Sequence, residues 1–154
     1  MSPMDPVEFE RIATGKFEPS DLSPVVPDDG ESLAIVAPRR VSLDADGKLP
    51  VCGTYRVGAP RFNRSRSFLD EITLVAVDAD THEPRSGNLR TRDFDSAPAA
   101  FDENDPDFAE MSARGWFNVD LFDVAGLPRR AARYHVYALV GDLKSGAILV
   151  EVAP

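Results

Sequence analysis

At 154 residues the chain suits one domain, long enough to bury roughly 68–70% of its unfolded surface in a single core, and 43% hydrophobic with 28% charged residues is an ordinary globular balance. A net charge of −9 argues against a nonspecific grip on phosphate backbones, which needs clustered cations, so nucleic acid is not an expected partner. With Cys52 as the single cysteine, an intrachain disulfide and a cysteine-rich metal site are excluded. No run reaches the ~18 apolar residues of a membrane span, and the first residues lack the basic and apolar regions of a secretory signal. These features predict a soluble, cytoplasmic protein with no membrane partner.

In chain order, Asp5-Pro6, then Val7, Phe9 and Ile12, then Gly15, has the grammar of a short helix. Asp caps the free N–H groups, Pro suits the first position and Gly ends the last turn. Residues 16–31 mix prolines and carboxylates without period, so residues 1–31 read as a helix and irregular arm, and 32–154 as the ordered domain.

From Ser32 onward strands dominate. "SLAIVAP" and "RRVSLDADGKLPVCGTYRV" carry β-branched and aromatic residues at period two, with "DADGK" as a hairpin turn. Leu49, Val51, Gly53, Tyr55 and Val57 fall on one face, which directs Cys52 away from the core. "DEITLVAVDAD" is a further strand, and so is "GWFNVDLFDV", where Phe117, Val119 and Leu121 alternate with Asn118 and Asp120. The long connection between them carries "NDPDFAEMSARG", with Asp105 as cap, Pro106 first and Gly115 past the end, which predicts a helical insertion near 105–114. The hairpin "RYHVYALVGDLKSGAILVEV" closes a set of about seven strands, the pattern of an all-β, antiparallel sandwich.

"AGLPRRAARYHVYALVGDLKSGAILVEV" resembles the last two strands of an immunoglobulin or fibronectin-III type sandwich: a Leu-Pro bend, a Tyr at the strand start and a closing apolar strand. The resemblance covers 28 residues and is one of fold. It implies an immunoglobulin-like β-sandwich in which the Tyr134 hydroxyl bonds back to the preceding turn and Val136 stands where antibody domains place a cysteine. It implies nothing about activity.

Catalytic and metal chemistry find little support. Asp102, Glu103, Asp105, Asp107 and Glu110 invite calcium, but helix capping accounts for most of them. "DADG" lacks the rest of an EF-hand loop. His82 and His135 do not share a zinc-ligand spacing, and there is no nucleophile elbow or phosphate loop. The expectation is therefore no enzyme, no cofactor and no metal. The competing reading is a small metal-dependent or carboxylate-based hydrolase using loop acids and His82. Arg61, Arg64 and Arg66 in "RFNRSRS", interleaved with Phe62 and Phe68, could meet a small anion; the plainer reading is a solvated loop balancing an acidic protein.

The informative feature is a ribbon apolar on both faces. If Tyr134, Val136, Ala138 and Val140 point inward with Ile148, Val150 and Val152, then His135, Tyr137, Leu139 and Leu149 point outward. A neighbouring strand with Ile72, Leu74 and Ala76 inside adds Val75 and Val77 to the outer side. Leaving several such side chains in water forgoes ~1.5–3 kcal/mol each. The cover is either internal, from the N-terminal helix or the insertion helix with Phe108 and Met111, or it is a partner: another protein, or a second copy forming a homodimer. The predicted role is a noncatalytic protein-interaction or accessory module whose partner-binding residues are Val75, Val77, His135, Tyr137, Leu139 and Leu149.

Overall fold

The computed structural model describes residues 30–43, 48–64, 71–89 and 100–154. Within them the elements run β1 (Ser32–Val36), β2 (Arg40–Ser42), β3 (Pro50–Gly58), α1 (Ala59–Arg64), β4 (Thr73–Asp78) and β5 (Pro84–Asn88). A 3-10 turn (Phe108–Glu110), β6 (Ser112–Asp120), α2 (Leu121–Ala125), β7 (Ala132–Val140), β8 (Leu143–Lys144) and β9 (Ile148–Ala153) follow. They form two sheets: one of three strands in the order β1-β3-β6, the other of six in the order β2-β9-β7-β4-β5, with β8 paired to β7.

Period-two alternation explains which faces meet. Leu49, Val51, Tyr55 and Val57 are fully buried, and so are Ile72, Leu74, Ala76, Val136, Ala138 and Val150. Leu33 and Ile35 from β1 and Phe117 and Val119 from β6 join them in one apolar core. Two strand glycines are built into it. Gly53 pairs with Phe117 and Gly115 with Tyr55 across the β3–β6 ladder, and a Cβ at either glycine would collide with the opposing ring. Each aromatic thus lies over the gap that its cross-strand glycine leaves.

Four expectations require correction. "DADGK" does not join a hairpin: β2 runs parallel to β9 while β3 lies in the other sheet, so the chain crosses between layers there. That parallel pair also makes the arrangement not purely antiparallel. The helical insertion near 105–114 does not form either. Asp105 Oδ1 accepts the Asp107 N–H at 2.9 Å and its carbonyl accepts the Phe108 N–H at 3.0 Å, winding a local turn. From Ser112 the chain is instead committed to pairing with Gly58 and Val57. Nine residues of ladder outweigh a capping signal that would satisfy one helical turn. Cys52 is buried rather than exposed, and desolvation pushes its thiol up to about 11. The N-terminal helix and residues 44–47 lie outside the described residues.

α2, unforeseen in the sequence, starts on Asp120, whose Oδ1 accepts the N–H groups of Phe122 and Leu49, each at 3.1 Å. It ends on Gly126 in the left-handed region at φ 62°, where glycine carries no Cβ penalty. Burial raises the pKa of Asp120, with the two amide donors opposing. A carboxyl whose pKa rises on folding contributes stability that is complete below its unfolded value, near 3.9, and lost as pH climbs through the folded value. Asp120→Asn keeps an acceptor without a charge to desolvate, so it should match or exceed the parent in urea denaturation at pH 7 and lose that advantage in acid. Asp120→Ala should cost about 0.5–2 kcal/mol at either pH.

Candidate outer-face interaction site

The register places the predicted residues together. Val75 pairs with Tyr137, Val77 with His135 and Thr73 with Leu139 across β4 and β7, and His135 pairs with Leu149 across β7 and β9. All six lie on the side of the large sheet that faces away from the core. Val75 is 8% exposed and Leu149, at 48%, is the exposed large apolar side chain among the described residues. Val77, Tyr137 and Leu139 are half-buried, and His135 is exposed.

Sequence reading missed the polar members of this face. β8 folds back so that Lys144 pairs with Leu139 and its Nζ stands 4.3 Å from the Tyr137 ring centroid, a cation–π contact. Ser86 of β5 sits opposite Val75. At one end, Arg40, Glu151 and Arg133 form a row across β2, β9 and β7, with Arg133 bound to Asp80 at 2.9 Å. Two-residue β8 has no periodicity by which the sequence could place Lys144 on this face.

The remaining candidates are dispersed. Arg61 donates through Nε to Glu31 and through Nη1 to Asp142, each at 2.8 Å. Glu31 Oε2 also accepts the Gly58 N–H at 3.0 Å. Burial works to raise the Glu31 pKa, but these bonds outweigh it and hold the carboxyl low; the same guanidinium lowers Asp142. Arg64 is exposed, and Arg66 and Phe68 lie outside the described residues. The described acidic turn ends beside α1: Asn63 exchanges two hydrogen bonds with the Phe101 backbone, and Phe62 meets Phe101 edge-on at 5.9 Å.

His82 occupies the β4–β5 turn at φ 62°, where the Asp78 carboxylate accepts the Asp80 and Thr81 N–H groups. Among the described residues no three His, Cys, Asp or Glu side chains converge as a metal site, and no helix is long and apolar enough to cross a membrane. Tyr134 is buried at the start of β7; burial pushes its hydroxyl pKa up, and the Arg130 side chain of the preceding turn acts to lower it.

Fold and site together define a two-sheet, mostly β protein with an apolar outer face on its larger sheet. No protein-family model matches the chain, and no curated protein matches it.

Proposed function

We propose that the chain is an immunoglobulin-like sandwich acting as a noncatalytic protein-interaction module through the outer face of β4, β7 and β9. What supports the fold reading is strand order. β1-β3-β6 packs against β9-β7-β4-β5, as the A, B, E and G, F, C, C′ strands do in variable-type immunoglobulin sheets. The functional reading rests on one observation: Val77, Tyr137, Leu139 and Leu149 share the outer face of the larger sheet with buried Val75 between them, and Lys144 stands over the central tyrosine. A patch of that composition suits a protein partner, either another protein or a second copy of the chain.

Leu149→Glu tests it, because a substitution at so exposed a site should leave folding stability within about 0.5 kcal/mol. In light scattering and in titration against a captured partner, association should weaken at least tenfold, about 1.4 kcal/mol. Leu139→Glu should do the same with a larger loss of stability, since Leu139 is half-buried. Association untouched by both substitutions would move the interface elsewhere.

A further inference from the structure

We propose that Ser42 is a phosphate acceptor for a Ser/Thr protein kinase of the arginine-directed class, with ATP as the donor. The inference stands apart from the outer-face reading and does not depend on it. It begins with the order of residues. In "RRVSL", Arg39 and Arg40 stand three and two positions before Ser42 and the apolar Leu43 follows it, and no other serine or threonine of the chain has arginines at both of those positions. Kinases of this class select substrates by charge pattern, setting carboxylates against the two guanidiniums.

The fold displays that stretch. Arg39, Arg40 and Ser42 are exposed, whereas Val41 between them is 3% exposed and belongs to the core. Alternation along β2 puts Arg40 and Ser42 on one side of a strand that is already extended. β2 is also the outermost strand of the larger sheet. It is held to β9 by three residue pairs, flanked by the Glu151 N–H donating to the Arg39 carbonyl at 2.8 Å and the Leu43 N–H donating to the Ala153 carbonyl at 2.9 Å. A short strand bonded to one neighbour opens at far lower cost than the whole domain, so residues 39–43 can lift into a kinase groove while the core stays closed.

The transfer balances within these components. The bond from Ser42 Oγ to the γ-phosphorus forms as the bond from that phosphorus to the ADP oxygen breaks, and the hydroxyl proton passes to the catalytic aspartate of the kinase. The product carries about −1.5 to −2 charges two residues from Arg40 on the same side of the strand, a rise of roughly 7 Å. Arg40 pairs with Glu151, which pairs with Arg133. The phosphate therefore competes with Glu151 for the Arg40 guanidinium and recasts the charged row at that end of the large sheet.

The test incubates the folded full chain with the catalytic subunit of cyclic-AMP-dependent protein kinase and Mg-ATP, beside a synthetic peptide of residues 37–44, and reads incorporation by mass spectrometry. One phosphate per chain, on Ser42, is expected. Ser42→Ala should take none, and Arg39→Ala and Arg40→Ala should each slow incorporation by roughly tenfold or more, the scale for truncating one member of an interfacial charge pair. Gly53→Ala, which weakens the core away from β2, should leave the rate unchanged, because β2 opens without the core. A rate that climbs with the unfolded fraction in Gly53→Ala would show that the kinase reads only unfolded chains and would overturn the proposal. So would phosphate on another residue, indifference to both arginines, or a full chain left unmodified whether or not the peptide is phosphorylated.

Discussion

Phe117→Ala should destabilise the fold by about 3–5 kcal/mol in urea denaturation, the range for emptying a buried aromatic site. That is a large part of the 5–15 kcal/mol that holds a typical domain together. Phe117 is completely buried, and its ring fills the space over Gly53, its cross-strand partner. Gly53→Ala should therefore also destabilise, by about 1–3 kcal/mol, because the new methyl meets the ring. The decisive measurement is the double substitution. With the ring gone, Ala at 53 has room, and its lower backbone entropy cost relative to glycine, roughly 0.5–1 kcal/mol, should turn a penalty into a small gain. A coupling energy of at least 1 kcal/mol is expected; additive effects would mean that ring and glycine do not share that space.

This pair also shows what a sequence reveals. Leu49, Val51, Gly53, Tyr55 and Val57 were legible as one face because alternation survives a glycine in the register. The reason for the glycine was not, because it lies on another strand some sixty residues away. The outer-face residues were legible for the same reason of period, together with the pairing of β4 and β7. Cys52 shows the limit of alternation, which gives the face a side chain takes and not whether that face is dry: Cys52 does point opposite Val51, yet it is buried.

The errors share a cause. "PRSGN" has no β-branched residue and opens on proline, yet β5 forms as an edge strand because β4 offers a complete ladder on that side. "NDPDFAEMSARG" carries a sound helix start, and β3 claims its second half. The sequence around "DADG" predicts a hairpin, and β9 claims the strand before it. In each case a long-range ladder overrides a local preference worth about 1 kcal/mol or less, and no local window contains the competing strand.

Gly87→Ala should be the most damaging single methyl added to this protein. Gly87 pairs with Leu74 on β4, and a Cβ there would run into the backbone carbonyl oxygen of Val124 in α2. A ring can rotate away from such a collision; a helical carbonyl cannot. α2 is pinned by the Asp120 cap, by burial of Leu121, Phe122 and Ala125, and by the bond from Arg85 Nη1 to the Gly126 carbonyl at 3.3 Å. Either β5 must leave the sheet or α2 must leave the core, so a loss of about 3 kcal/mol or more is expected, at or beyond the upper end for overpacking. Hydrogen exchange should show which element yields, and β5 is the cheaper one, because it is an edge strand with one neighbour. Its loss would strip Ser86 and Pro84 from beside Val75 and Val77 without altering a residue of the outer face. Weakened partner association in Gly87→Ala, with β4 and β7 amides still protected, would show that the face works only as a fully framed surface, whereas unchanged stability would refute the close approach of α2 to β5.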